Sequence, residues 1–134
     1  MTKPTLYIIA RKDIPDLNPG KLAAQVAHAQ AEFDAYIEEK HIDGDFHSTL
    51  LSGYREWCGE KKFGRTIVLQ GTLAEMKDLV RAAGPSMVTV DPTYPWRNYY
   101  GDVIVSEEPT CAWIFVYKEN QFALERLKEL PLHP

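Results

Sequence analysis

Cysteine is scarce in this chain of 134 residues, and no run of apolar residues is long. The two cysteines, Cys58 and Cys111, are too few for a disulfide framework, which favours reduced thiols in the cytoplasm. No apolar run approaches the roughly 18 residues that a membrane span needs. The first residues also lack the basic start and apolar core of a secretory signal. We therefore expect a cytoplasmic protein that has no membrane partner.

Positive charge is also in short supply. The formal net charge is −4 and the sequence pI is about 5.5, which argues against binding nucleic acid over a broad surface. Cations do gather locally at Arg11, Lys12 and Lys21, so a site that grips a few phosphates is compatible with this composition. No group of cysteines and histidines has the spacing of a zinc site. A metal ion is therefore not expected.

Apolar strand patterns alternate with helical patterns along the chain, which predicts an α/β protein with a small mixed sheet. We expect a single domain over residues 1–134. The predicted order is strand 5–11, helix 19–40, helix 46–58, strand 65–71, helix 73–83, strand 86–91, strand 111–117 and helix 119–130. A loop rich in proline and aromatic residues is predicted between the last two strands, because Pro92, Pro95 and Pro109 interrupt the strand pattern there.

The start of the long helix carries the most informative motif. Asn18 is a good N-cap, and Pro19 fits the first helical position, where its missing N–H would have no partner. Lys21, Gln25 and His28 then fall at helical spacing, which places a cation, an amide and an imidazole on one face. Such a row near a positive helix end suits an anionic or carbonyl-bearing substrate. A solvated helix face carries the same residue types, so spacing alone leaves both interpretations open.

This motif resembles the start of the type 2 peptidyl-tRNA hydrolases, the family found in archaea and eukaryotes. The resemblance continues in order along nearly the whole chain, and the segments that carry it are Arg11-x-Asp13, Gly20-Lys21-x-Ala23-Ala24-Gln25-x-x-His28-Ala29, Trp57-Cys58-Gly59, Thr66-Ile67-Val68-Leu69-Gln70, Met87-Val88-Thr89-Val90-Asp91 and Thr110-Cys111-Ala112-Trp113-Ile114-Phe115-Val116. Only the first helix motif is specific. The resemblance implies a four-stranded mixed sheet with helices on both faces.

The resemblance also implies a reaction, which is hydrolysis of the ester that joins a peptide to the 3′ ribose of tRNA. Lys21 is expected to hold a phosphate or the developing oxyanion, and His28 to orient water or relay a proton. Asp91 is expected to orient a base or Lys21 from the carboxyl end of its strand. No metal or organic cofactor is implied. The 3′ end of peptidyl-tRNA is the expected partner, and family members often form homodimers.

The chain departs from the family after the third strand, where the family has Asp-Ala-Gly-x-Thr. Here the segment reads Asp91-Pro92-Thr93-Tyr94-Pro95, so a proline without hydroxyl or N–H stands at the family threonine position. The loop is also longer, and its aromatic rings and cation suit stacking on unpaired bases, although the rings fit packing onto the domain or a subunit contact equally well. The residues expected to bind the substrate are Arg11, Gln25, Thr93, Tyr94, Trp96 and Arg97.

Two other functions remain open at this point. The altered loop and the acidic charge favour a catalytically inactive module on the same fold that holds a protein or RNA partner. The aromatic loop is also compatible with a hydrolase or transferase that acts on a different small amide or ester. Substitution of Lys21, His28 and Asp91 separates an enzyme from a binding module.

Overall fold

Four strands and four helices make up the computed structural model, which describes residues 3–42, 48–61, 63–82, 84–118 and 121–133. In chain order they are β1 (Thr5–Arg11), α1 (Pro19–Ile42), α2 (Ser48–Cys58), β2 (Thr66–Gly71), α3 (Leu73–Ala82), β3 (Ser86–Arg97), β4 (Val103–Val116) and α4 (Gln121–Glu129). The predicted order of elements is confirmed. The predicted starts of the second helix at 46 and of the last helix at 119 lie outside the described residues.

The strands form one mixed sheet in the order β2-β1-β4-β3. β1 runs parallel to β2 and antiparallel to β4, and β3 pairs antiparallel with β4. The predicted α/β fold with a four-stranded mixed sheet is therefore confirmed. β1 and β4 occupy the centre, and β3 forms one edge of the sheet.

Helices cover both faces of the sheet because alternate strand residues point to opposite sides. Ile8 and Trp113 belong to the core cluster that α1 and α2 cover, and Phe33 of α1 is fully buried within it. Ile9 and Ile114, their sequence neighbours, belong to the other cluster, beneath α3 and α4. The position of α1 on the first face decides which polar side chains meet β3.

Local signals fix the beginnings of two helices. The Oδ1 atom of Asn18 accepts a hydrogen bond from the backbone N–H of Lys21 at 2.9 Å, which confirms the predicted N-cap of α1. Thr72 and Glu75 form a capping box at the start of α3. The Glu75 carboxylate accepts from the Thr72 N–H at 2.9 Å, and the Thr72 hydroxyl accepts from the Glu75 N–H at 3.2 Å.

The loop predicted between the last two strands is wrong, because residues 92–108 form the outer part of a long β3–β4 hairpin. Pairing continues to Arg97 opposite Val103. Prolines are compatible with this because β3 is an edge strand, where a missing N–H need not break the ladder. Pro92 lies within an irregularity of the strand pairing, between Asp91 and Tyr94. We call residues 92–108 the outer hairpin.

The opposite edge of the sheet is covered by the last described residues. Leu132 forms an isolated antiparallel bridge with Leu69 of β2. Around it, the Gln70 N–H donates to the Pro131 carbonyl at 2.9 Å, and the His133 N–H donates to the Val68 carbonyl at 3.0 Å. This short segment satisfies backbone groups that an edge strand otherwise presents to solvent. In the described part of the chain, no helix has both the length and the apolar character needed to cross a membrane.

Replacing Gly53 of α2 with alanine is expected to lower the free energy of unfolding. Alanine is the better helix former by about 1 kcal/mol, but a Cβ at this position would lie 2.5 Å from the Cβ of Tyr117. Overpacking of this kind typically costs about 1–3 kcal/mol, so the clash outweighs the propensity gain. Gly20→Ala in α1 is the matched control, since its Cβ would meet Asn18 at an ordinary 3.5 Å. Urea unfolding of both variants tests this, and equal stability would contradict the packing of α2 against Tyr117.

Candidate functional site

The seam between α1 and β3 is centred on a buried hydrogen-bond network. Gln25, only 3% exposed, donates from Nε2 to the Asp91 carboxylate at 2.7 Å. Its Oε1 accepts from the Thr110 hydroxyl at 2.6 Å. The amide therefore links the helix to both strands of the hairpin. We call this set of three side chains the Gln25 network.

Two irregularities in the strand pairing place the partners of Gln25. Between the pairs Thr89–Cys111 and Val90–Pro109, β4 contains one extra residue, Thr110. Bulges re-aim side chains, and here the extra residue directs its hydroxyl at Gln25. The second irregularity follows Asp91, in the β3 segment before Tyr94. The sequence predicts Gln25 and Asp91 as site residues, but Thr110 is identified only by the structure.

The Asp91 carboxylate receives further hydrogen bonds from its own strand. The backbone N–H of Thr93 donates to Asp91 at 2.9 Å, and the Thr93 hydroxyl donates at 3.3 Å. Burial raises the pKa of Asp91, but the hydrogen bonds from Gln25 and Thr93 and the charge of His28 lower it more. Asp91 is therefore ionised at neutral pH. It lies within β3 and not at the predicted strand end, because the strand continues to Arg97.

Lys21 lies one helical turn before Gln25 and reaches the outer hairpin. Its Nζ donates to the backbone carbonyl of Pro95 at 2.7 Å and to the Asp16 carboxylate at 2.9 Å. The ammonium also lies 5.4 Å from the centre of the Tyr94 ring, within the range of a cation–π contact. Pro95 thus contributes its main-chain oxygen to the lysine.

Asp16 is a site residue that sequence reasoning missed. Besides Lys21, its carboxylate accepts the backbone N–H of Arg97 at 3.3 Å. The bond with Lys21 is the main reason that the pKa of Asp16 is lowered. Its backbone has a φ of 60°, a left-handed conformation that Asp adopts more readily than most residues. Strained backbone is often found where structure serves function, but no sequence signal marks this conformation.

His28 and Glu32 continue the polar row along α1. His28 is exposed, and its charge acts on both Asp91 and Glu32. Glu32 is half-buried, and burial raises the pKa of its carboxyl despite the opposing effects of the nearby Thr89 hydroxyl and His28. The structure therefore gathers Lys21, Gln25, His28 and Asp91 along one seam, and this group includes all three predicted catalytic residues.

Arg11 lies apart from that group. Its guanidinium contacts the Asp13 carboxylate at 2.9 Å, Glu108 at 3.3 Å and the Pro109 carbonyl at 3.1 Å. Asp13 in turn accepts the first backbone N–H of α3, that of Leu73, at 3.2 Å. The side chain of Arg11 is only 14% exposed. These contacts hold the end of β1 to β4 and α3, and a contact of Arg11 with substrate stays a prediction.

The aromatic residues predicted to bind substrate face inward. Tyr94 is fully buried, and its hydroxyl donates to the Pro15 carbonyl at 2.9 Å. Trp96 is half-buried and donates from Nε1 to the Ser106 hydroxyl at 2.9 Å. In this conformation the Tyr94 ring has no exposed face on which a base could stack, and its role in binding substrate stays a prediction. Arg97 is exposed, and its guanidinium donates to the Gly101 carbonyl at 2.9 Å.

An open groove of about 600 Å³ lies on the other side of α1. Its lining consists of Pro19, Leu22, Ala23, Val26, Ala27, Gln30, Val68 and His133. None of these is a predicted site residue, and the lining contains neither a carboxylate nor an ammonium group. The groove therefore does not provide the chemistry predicted for the site, and the seam between α1 and β3 is the better candidate.

A scan against protein-family models finds no match to the chain, and a search of curated proteins finds none either. The resemblance to type 2 peptidyl-tRNA hydrolases therefore stays a prediction from motifs. Within the residues that the structure describes, no group of three or more His, Cys, Asp or Glu side chains could hold a metal ion.

The contribution of Asp91 to stability is expected to depend on pH. Because its folded pKa is below the usual 3.8, ionised Asp91 stabilises the fold above about pH 4, and this contribution disappears as the pH falls through the folded pKa. Wild type should therefore lose more unfolding free energy between pH 5 and pH 2 than Asp91→Asn, which has no carboxyl group to titrate. Urea unfolding across this range measures both. Parallel pH curves would show that the network does not stabilise the charged form.

Proposed function

We propose that this chain hydrolyses the ester bond of peptidyl-tRNA, releasing free tRNA and peptide, at the seam between α1 and β3. The observation that carries the proposal is the buried hydrogen bond between Gln25 and Asp91. It brings the helix motif and the aspartate, two separate parts of the resemblance, into one contact. Lys21 and His28 flank that contact on successive turns of the same helix face.

Lys21 is suited to stabilise negative charge on the ester oxygen. An ammonium group has three N–H donors. Among the described residues, Asp16 and Pro95 take two of them, which leaves the third for a substrate oxygen. The position of Lys21 in the first turn of α1 adds the positive end of the helix dipole. Donors held in place before the reaction stabilise a developing oxyanion most effectively.

The proton movements of hydrolysis are assigned to Asp91 and His28. Water attacks the acyl carbon, a proton leaves the water, and the bond from carbon to the ribose 3′ oxygen breaks. That oxygen then takes up a proton. Asp91 is ionised and can orient the water, while the exposed imidazole of His28 can pass a proton between water and the leaving oxygen. The reaction balances without a cofactor or an oxidant.

A binding module without catalysis is the second candidate, and the contacts of Lys21 favour it. Its ammonium is held by two acceptors of its own chain, and Asp16 neutralises part of its charge. The family threonine hydroxyl has no counterpart at Pro95. On this alternative the seam would hold an RNA or protein partner without turning it over.

Replacing Lys21 with alanine is expected to lower turnover by about 100- to 1,000-fold, the usual effect of removing one oxyanion donor. Release of peptide from N-acetyl-aminoacyl-tRNA by purified protein measures this. Thermal unfolding should change little, because Lys21 lies at the edge of the fold and not in either core cluster. Lys77→Ala is the matched control, since Lys77 is exposed on α3, on the other face of the sheet.

Equal turnover of the Lys21 variant and wild type would show that Lys21 does not contribute to catalysis. A well-folded wild type without any turnover would contradict the hydrolase and favour the binding module.

Replacing Asp16 with asparagine is expected to lower turnover by less than Lys21→Ala does. Asparagine tolerates the left-handed backbone of Asp16 but removes the charge that holds the ammonium, while the Pro95 carbonyl remains in place. The decrease should appear in kcat more than in KM, because the change affects the aim of Lys21. If kcat stays at the wild-type value, Asp16 does not position the lysine.

A further inference from the structure

The end of the outer hairpin presents two exposed tyrosines. Tyr99 is 97% exposed and Tyr100 is 85% exposed. Their rings contact each other edge to face, with centroids 5.6 Å apart. Exposed apolar surface that is contiguous often marks an interaction site. We call residues 98–102 the hairpin tip.

Hydrogen bonds between its own residues define the turn of the hairpin tip. The Asn98 side-chain oxygen accepts from the N–H groups of Tyr100 at 2.9 Å and Asp102 at 3.0 Å. The Asn98 N–H donates to the Asp102 carbonyl at 2.9 Å. Gly101 supplies the positive φ of 84° that the turn requires. The two rings are therefore presented by an ordered turn, which lowers the entropy cost of binding through them.

The hairpin tip connects directly to the proposed site. The Arg97 backbone N–H and the Lys21 ammonium donate to the same oxygen of Asp16. Tyr99 follows Arg97 by two residues, so the Cα atoms of the two residues are at most about 7 Å apart. That distance equals about two stacked nucleotides at roughly 3.4 Å per step. An RNA strand whose 3′ end lies at Lys21 therefore reaches the rings of Tyr99 and Tyr100 within its last few nucleotides.

We infer that Tyr99 and Tyr100 bind the unpaired nucleotides of an RNA 3′ end by stacking, with Arg97 contacting an adjacent phosphate. This inference rests on the proposed function, whose substrate ends in single-stranded RNA. Among the described hydrogen bonds, the Arg97 guanidinium donates only to the Gly101 carbonyl, so four of its five N–H donors are left for a phosphate. Aromatic faces stack on any base without sequence preference.

The charge of the chain favours a grip of this kind. With a net charge of −4, the protein cannot rely on attraction over a broad surface to hold RNA. Stacking needs little net charge, so two rings beside one cation suffice for a local contact. Arg97 precedes the two tyrosines in sequence and Asp102 follows them. Because the Asp102 carboxylate would repel a phosphate, the phosphate contact belongs on the Arg97 side.

The test compares binding of a fluorescently labelled short single-stranded RNA ending in CCA to four proteins. They are wild type, the double variant Tyr99→Ala and Tyr100→Ala, the double variant Tyr99→Phe and Tyr100→Phe, and the control Val105→Ser. Val105 is exposed on the same hairpin but away from the tip. Fluorescence anisotropy gives each Kd. The KM and kcat for N-acetyl-aminoacyl-tRNA are measured with the same proteins.

The alanine double variant is expected to bind the RNA about 10- to 100-fold more weakly, the usual range for losing stacking on one base or more. The phenylalanine double variant and Val105→Ser should bind as wild type does, since both retain the two rings. KM should rise in the alanine variant while kcat changes little. The dependence of wild-type log Kobs on log salt should be shallow, with a slope of about −0.7 for a single phosphate contact.

Equal Kd and KM values for the alanine variant and wild type would overturn the inference. Sedimentation that shows a wild-type dimer lost in the alanine variant, without RNA binding, would overturn it in favour of a second copy as occupant. These results differ from failure of the proposed function. A wild type that binds RNA through the tip but releases no peptide would contradict hydrolysis and support the tip as an RNA contact.

Discussion

The buried contact between Gln25 and Asp91 is the constraint on which the rest of the site depends. A carboxylate removed from water is costly unless donors satisfy it. Asp91 therefore requires Gln25 on one side and Thr93 on the other. Gln25 and Asp91 are far apart along the chain, so their contact fixes the distance and rotation of α1 relative to β3. Lys21 and His28 take their positions from the same helix.

A second set of hydrogen bonds, which begins at Trp96, connects the outer hairpin to the rest of the domain. The Trp96 indole donates to Ser106, and Ser106 donates to Glu108. Glu108 pairs with Arg11, whose other partner, Asp13, accepts the first N–H of α3. Arg11 and Asp13 thus support the outer hairpin through their contacts with β4 and α3.

The sequence predicts the helices and central strands well, because their signals are local. The Asn18 cap, the capping box of Thr72 and the apolar run of β1 each need only a few neighbouring residues. The outer hairpin could not be predicted from its sequence. Proline indicates a loop in a strand that pairs on both sides, but an edge strand tolerates it. Only the sheet order reveals that β3 has a free edge. Helical spacing is a local signal and predicts Lys21 and Gln25. The positions of the Asp16 and Thr110 side chains depend instead on a left-handed backbone and on a bulge, which the sequence does not show.

The prolines of β3 have a consequence for recognition. Pro92 and Pro95 offer no N–H along the free edge, and the carbonyl of Pro95 is already bound to Lys21. A strand from another protein therefore meets an interrupted ladder there and cannot extend the sheet by continuous backbone pairing. Molecules that approach this edge must be distinguished by the side chains that project from the hairpin. Any recognition at this edge therefore depends on side chains of the hairpin, which single substitutions can change while the backbone geometry stays the same.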